Sequence, residues 1–83
     1  MIIIDGSLGE AGGQILRTAV GLSSLLLKPI KIINIRKGRS RSGLLPQHLT
    51  GVKIAGEFTN AEIKGLKLHS TEIEFIPKSH SFR

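Results

Sequence analysis

The sequence predicts an α/β fold, a βαβαββ module whose two helices pack on one face of a small mixed sheet. Two β-branched segments are each followed by a glycine-containing loop and then by apolar residues at helical spacing. Two short segments of alternating polar and apolar residues come after them. A strand, a helix and a further strand in succession form a crossover unit, so we expect two crossover units and a closing hairpin.

The first crossover unit occupies the first 35 residues. Residues 1–5 form a continuous apolar run ended by Asp-Gly, which is typical of a buried strand. Four glycines within residues 6–13 predict a loop, because no packed element tolerates that density. Helical spacing begins at Gln14 and stops at Lys28, since the residue before a proline disfavours helix. Residues 30–35 are again β-branched and predict the second strand.

The second half begins with a basic connection, residues 36–48, in which four cations fall within six positions. Pro46 suits the first turn of the helix that follows, where its missing N–H costs nothing. Residues 61–64 and 71–76 alternate and predict two strands joined by a turn. With 83 residues, the chain is expected to be one module, 1–83, whose core is marginal in size without a partner or further sequence.

Composition excludes several classes of function. The chain has no cysteine, which excludes a disulfide scaffold and thiolate chemistry, and its three scattered histidines do not suit a structural zinc site. Its apolar runs are too short to cross a bilayer, and its first residues do not resemble a signal peptide. The expectation is a soluble cytoplasmic protein with no membrane partner.

The net charge of +6 is distributed unevenly. No acidic residue lies between Glu10 and Glu57, whereas eight basic residues do. Such a field suits a polyanion such as RNA or a nucleotide, bound through its phosphates. With three Phe and no Trp or Tyr, binding would depend on charge and backbone donors rather than on base stacking.

The two loops carry the candidate chemistry. The glycine-rich loop leads into a helix start and is either a tight structural turn or a phosphate cradle. Within it, Glu10 either stabilises the helix N-terminus or holds a divalent metal. If the first two strands are parallel neighbours, the loops share one sheet edge, where α/β folds usually bind ligands. The residues that would converge there are Glu10, Arg17, Arg36, Arg39 and Gln47.

Other polar residues are weaker candidates. Arg17 could also be an exposed helix arginine, and Lys37 and Arg41 could as easily be solvated. His48 is expected to be a surface histidine at a helix start, because no acid or nucleophile stands near it in sequence. His69 and His80 are also expected at the surface.

Two long motifs carry a family resemblance. The first runs Asp5-Gly6-x-x-Gly9-Glu10-x-Gly12-Gly13-Gln14-Ile15-Leu16-Arg17, and the second Ile35-Arg36-x-Gly38-Arg39-x-x-x-Gly43-Leu44-x-x-Gln47-His48-Leu49. Together they resemble the N-terminal portion of the RNA 3′-terminal phosphate cyclase family. Two positions depart from the family pattern: Ala11 stands where a third consecutive glycine is common, and Ser42 where proline is common. Neither departure removes a functional group.

The resemblance implies both a fold and an activity. The fold is a series of βαβαββ modules, of which this chain would be the first, packed with the remaining modules of the same protein. The activity converts an RNA 3′-phosphate to a 2′,3′-cyclic phosphate, using ATP and Mg²⁺ or Mn²⁺. A histidine nucleophile accepts AMP and passes it to the RNA 3′-phosphate, and the neighbouring 2′-hydroxyl then displaces AMP.

The resemblance also assigns roles to residues. Glu10 looks like the metal-linked carboxylate, and Arg17, Arg36, Arg39 and Gln47 look like the ATP- and phosphate-binding set. The family's nucleophilic histidine lies near the C-terminus of the full enzyme, so no catalytic nucleophile is expected in these residues, and the 83-residue chain alone is expected to be inactive. Two alternatives remain open: a non-catalytic cyclase-like factor of ribosome assembly, and a stand-alone basic RNA-binding module.

Overall fold

The chain folds into four strands and two helices, as a computed structural model shows for residues 1–7, 14–37 and 43–80. The predicted order βαβαββ is confirmed. In chain order the elements are β1 (Ile2–Asp5), α1 (Gln14–Leu26), β2 (Ile30–Ile33), α2 (Pro46–Thr59), β3 (Glu62–Lys64) and β4 (Ile73–Ile76).

The four strands form one mixed sheet in the order β1-β2-β4-β3. β1 and β2 are parallel, with Ile2 opposite Ile30 and Asp5 opposite Ile33. β4 runs antiparallel to both β2 and β3, so the hairpin places β4 in the interior and β3 at the edge. Because β1 and β2 are parallel neighbours, the loops that follow them leave the same end of the sheet.

The core lies between the helices and one face of the sheet. Alternate residues of the central strands face it and are buried, whereas Lys31 and Glu74, paired across β2 and β4, face away. From α1, the core receives Leu16, Ala19 and Val20, and Val52 is the buried apolar residue of α2. The sheet and the adjoining loops contribute Ile30, Ile32, Ile35, Leu44, Ile73 and Phe75. The predicted packing of both helices on a single face is thus confirmed.

Several predicted boundaries were wrong by one or two residues. α1 ends at Leu26 because Leu27 takes a left-handed conformation, φ 54°, which cannot continue a helix. β2 ends at Ile33 rather than at residue 35, because Asn34 is also left-handed, φ 53°. Leu22, Leu25 and Leu26 of α1 are exposed, so the buried stripe of this helix is narrower than its apolar content suggested. Within the described residues, neither helix is long and apolar enough to cross a membrane.

Candidate functional site

A cleft of about 480 Å³ lies between the N-terminal halves of the two helices. Its floor is apolar, and its polar side chains come from three separate elements of the fold. The residues that line it are Leu16, Arg17, Val20, Gly21, Arg36, Gln47, His48, Gly51, Val52 and Ala55. Three of the predicted phosphate-binding residues, Arg17, Arg36 and Gln47, therefore share one cleft.

Each of these three side chains is placed by a different part of the fold. Arg17 lies in the first turn of α1 and is exposed. Arg36 follows β2 and is half-buried. Gln47 is the second residue of α2, directly after Pro46, and is exposed. The helix N-terminus beside Gln47 adds the positive end of a helix dipole to the two guanidinium groups.

The backbone at Arg36 is held in an uncommon conformation. Arg36 has φ 53°, in the left-handed region that residues with a side chain seldom occupy. It lies within a turn in which the N–H of Lys37 donates to the carbonyl of Asn34, at 3.2 Å. This turn directs the chain out of β2 and brings Arg36 to the cleft, while Lys37 remains exposed.

The base of the basic loop is closed by backbone hydrogen bonds. The N–H of Gly43 donates to the carbonyl of Ile35 at 3.0 Å, which joins the two ends of residues 36–42. The turn between β3 and β4 packs against this closure, since the N–H of Leu44 donates to Ser70 and the N–H of His69 donates to Leu44. We call this set of bonds the loop clamp, formed by Ile35, Gly43, Leu44, His69 and Ser70. It fixes where Arg36 and the start of α2 stand relative to each other.

The start of the glycine-rich loop is held by side-chain hydrogen bonds in addition to a backbone bond from the N–H of Gly6 to the carbonyl of Ile33, at 2.6 Å. The N–H and hydroxyl of Ser7 both donate to Oδ1 of Asp5, at 2.9 and 2.6 Å, and Asn34 donates to the same oxygen at 3.4 Å. The hydrogen bonds from Ser7 are the main cause of a lowered pKa at Asp5. The carboxylate therefore links the ends of β1 and β2 in its ionised form.

His48 is the site residue that sequence reasoning missed. It was expected at the surface, but it is only 8% exposed and lines the cleft. The N–H of Leu45 donates to its Nδ1 at 3.1 Å, which is one half of a capping box at the start of α2. Burial, together with the charges of Arg36 and Arg17, lowers the pKa of His48. The sequence did contain one signal: His48 is the third residue of a helix that begins at Pro46, the position from which a side chain can bond back to the residue before the helix.

The other histidines divide between surface and interior. His69 is exposed, as expected. His80 is half-buried instead, because its Nε2 lies 2.7 Å from the carbonyl oxygen of Ser24 and its ring packs near Phe58.

Two of the predicted site residues, Glu10 and Arg39, lie outside the described residues, as does Arg41. Across residues 1–7, 14–37 and 43–80, no group of three or more His, Cys, Asp or Glu side chains could hold a metal ion. The cleft offers guanidinium, amide and imidazole groups, which suit the oxygens of an anion.

The fold and the cleft define an α/β module with cationic and amide groups gathered where two parallel strands end. The model of the RNA 3′-terminal phosphate cyclase family matches residues 8–83. The RNA 3′-terminal phosphate cyclase of Ignicoccus hospitalis is 60% identical over 79 residues, which cover 95% of this chain and 22% of that protein. The protein of the same name from Thermococcus sibiricus is 59% identical over 83 residues, which cover 100% of this chain and 24% of that protein.

The chain belongs to the RNA 3′-terminal phosphate cyclase family. It spans less than a quarter of the length of these two relatives. The family predicted from the two loop motifs is thereby confirmed.

Proposed function

We propose that these residues form the N-terminal, phosphate-binding module of an ATP-dependent RNA 3′-terminal phosphate cyclase. The observation that carries the proposal is the cleft shared by Arg17, Arg36 and Gln47 in a member of this family. In the proposed reaction, ATP and an RNA with a 3′-phosphate are the substrates, and a 2′,3′-cyclic phosphate, AMP and pyrophosphate are the products.

The three cleft residues bind and orient phosphate in this proposal. Guanidinium groups form charge-assisted, often bidentate bonds with phosphate oxygens, and Arg17 and Arg36 line the cleft from two different elements of the fold. Gln47 contributes an amide donor at the helix N-terminus. Phosphoryl transfer depends mainly on positioning and on stabilisation of developing negative charge. The two guanidinium groups and the amide would contribute to both.

Glu10 and Arg39 complete the proposed set from the two loops. Glu10 would hold Mg²⁺ or Mn²⁺, which neutralises charge on phosphate oxygens when it is bound. Arg39 would add a third guanidinium. The nucleophile is proposed to be a histidine beyond these 83 residues, so this module binds phosphate without forming the covalent bond to AMP.

The experiment is to incubate the complete protein with ATP labelled in the α-phosphate, with Mg²⁺ or Mn²⁺. We expect a labelled protein band that disappears when RNA bearing a 3′-phosphate is added, together with a cyclic phosphate at the RNA end. RNA with a 3′-hydroxyl is the matched control and should leave the label on the protein. A complete protein that is never labelled under either metal would contradict the enzyme.

The alternatives give different results in the same experiment. A non-catalytic cyclase-like assembly factor binds RNA without becoming labelled. A stand-alone basic module binds RNA in a salt-sensitive way that is indifferent to the 3′ end. A competition assay with RNAs that differ only in their 3′ end therefore separates that module from a cyclase.

A further inference from the structure

We propose that His48 is a ligand-binding residue of the cleft that acts as a neutral imidazole, donating one hydrogen bond from Nε2 to a phosphate oxygen. This inference rests on the proposed phosphate-binding function of the cleft. It differs from the usual expectation for a histidine beside phosphate, which is a protonated imidazolium or a proton-transferring base.

The backbone fixes which nitrogen of the ring carries the proton. The N–H of Leu45 donates to Nδ1 of His48 at 3.1 Å, and a nitrogen that accepts a hydrogen bond from an N–H carries no proton itself. The neutral ring must therefore carry its proton on Nε2. Since the Nδ1 side faces the backbone, the Nε2 side is the part of the ring that is available to a molecule in the cleft.

Protonation of His48 would disrupt this arrangement in two ways. A proton on Nδ1 would face the Leu45 N–H and break the cap at the start of α2, the turn that carries Gln47. It would also place a third positive charge in a cleft whose facing charged groups, among the described residues, are Arg17 from α1 and Arg36 from the turn after β2. Burial adds to the cost, because His48 is only 8% exposed.

A neutral donor is useful beside two guanidinium groups. It satisfies one more oxygen of a phosphate without repelling the arginines, and its direction is set by the helix cap rather than by a flexible side chain. The ligand must therefore present several acceptor oxygens at once, as a polyphosphate or a phosphate monoester does. The cap and the donor are two ends of one ring, so His48 couples the start of α2 to the bound anion.

Three variants of the complete protein separate the cap from the donor. Gln and Glu are the residues that complete a capping box at this helix position, so His48→Gln and His48→Glu both keep an acceptor for Leu45. Gln also keeps an N–H donor, whereas Glu presents negative charge to the ligand. His48→Ala removes both functions. Inorganic pyrophosphate serves as the probe, because its binding can be measured whether or not the protein becomes adenylylated.

We expect His48→Gln to bind pyrophosphate within about threefold of the parent and His48→Glu to bind at least about tenfold more weakly, since a charge-assisted hydrogen bond is lost. His48→Gln and His48→Glu should melt near the parent temperature, and His48→Ala should melt lower and bind more weakly. The inference is overturned if a folded His48→Glu binds as the parent does, or if a stable His48→Gln binds as weakly as His48→Ala. It is also overturned if the parent does not bind pyrophosphate.

A spectroscopic measurement keeps the test decisive if a variant does not fold. In the complete protein labelled with ¹⁵N-histidine, we expect His48 to show an unprotonated Nδ1 and a protonated Nε2 near neutral pH, both free and with pyrophosphate. A protonated Nδ1 in either state would overturn the inference. If the complete protein is not labelled in the ATP experiment, the proposed enzyme is refuted, but the pyrophosphate and histidine measurements still test the role of His48. Failure of the proposed enzyme and failure of this inference are therefore distinguishable.

Discussion

The two loops that leave the sheet together are anchored by different chemistry. The glycine-rich loop begins at a carboxylate, Asp5, that receives hydrogen bonds from Ser7 and Asn34. The basic loop is closed by the backbone bonds of the loop clamp, which contain no ionisable partner. The anchor at Asp5 therefore has a pH-dependent part beside the backbone bond from Gly6 to Ile33, whereas the clamp depends on backbone conformation alone. Parallel strands bring their following loops to one end of a sheet, and each of these two loops is anchored there by its own set of hydrogen bonds.

The largest expected effect is at the clamp. Gly43 has φ +80°, and a Cβ at this position would overlap the carbonyl oxygen of His69. We expect Gly43→Ala to lower the free energy of unfolding by roughly 2–3 kcal/mol. Alanine is strained at this positive φ, and the backbone atoms that its Cβ would overlap cannot move aside as a flexible side chain could. Urea denaturation of the complete protein measures it. Gly6→Ala, where a Cβ would lie 3.0 Å from the carbonyl oxygen of Ile33, is the matched change at the other loop. A larger loss of stability in Gly6→Ala than in Gly43→Ala would contradict the expectation that the clamp is the more sensitive of the two anchors.

The next effect concerns binding rather than stability. Asparagine tolerates the left-handed backbone of residue 36, so Arg36→Asn removes the guanidinium while keeping the turn. We expect the binding free energy for ATP to become less favourable by about 1.5–3 kcal/mol, the range for a lost charge-assisted hydrogen bond. Isothermal titration of the complete protein checks this, with the exposed neighbour Lys37→Ala as the control. Equal losses in the two variants would mean that diffuse charge, not the placed arginine, attracts the ligand.

A smaller effect is expected on the wall of the cleft. Gly21 lies in α1, and a Cβ added there would meet no atom within 4 Å. Gly21→Ala should therefore raise the free energy of unfolding by about 0.5–1 kcal/mol, because alanine restricts the unfolded chain and favours helix. Thermal denaturation measures the gain. Gly51→Ala, equally open in α2, should give a similar gain, and destabilisation by both variants would contradict the open space beside these two glycines.

His48 adds a pH dependence at the cleft. Its pKa is lowered from 6.5, so the fold favours the neutral ring. The stabilisation that it contributes is complete above that ordinary value and is lost as the pH falls from 6.5 through the lowered pKa. Denaturation at a series of pH values should show this decline for the parent and not for His48→Gln. If stability declines with falling pH to the same extent in the parent and in His48→Gln, groups other than His48 cause the decline.

The smallest expected effect is at Asp5, which is near the surface. Its pKa is lowered from 3.8, so its contribution is present above that value and is lost as the pH falls through the lowered pKa. Asp5→Asn keeps an oxygen to accept from Ser7 but removes the titration. We expect the variant to be slightly less stable at neutral pH and to show a shallower loss of stability in acid. If Asp5→Asn loses stability in acid as steeply as the parent does, the anchor at Asp5 does not depend on pH and does not differ from the clamp in this respect.

The sequence predicted the elements better than their ends. Helical spacing identified the two helices, alternation identified β3 and β4, and continuous β-branched runs identified β1 and β2. The expectation that β1 is buried was wrong, because β1 is an edge strand of the sheet and its Ile2 and Ile3 are exposed. β2 stops at Ile33 because of the left-handed residues that follow, and a β-branched run does not reveal where such a turn begins.

In the site, the prediction that Arg17, Arg36 and Gln47 converge required only that β1 and β2 be parallel neighbours, which they are. Their roles in phosphate binding, and those of Glu10 and Arg39, stay predictions. His48 was missed because its burial is set by the tertiary fold, which its neighbours in the sequence do not reveal. A hydrogen bond from a leucine N–H to a histidine ring also has no signature in residue type alone.

The loop clamp has a consequence for how members of this family could diverge. The hydrogen bond from the N–H of Gly43 to the carbonyl of Ile35 holds the two ends of residues 36–42 together at the edge of the fold. Lengthening such a closed segment is inexpensive, since each doubling of a flexible loop costs only about 0.6 kcal/mol of closure entropy. Insertions and substitutions between the two ends of the clamp are therefore expected to leave the sheet and both helices in place. The clamp thus allows the loop to vary in sequence and length independently of the stability of the module.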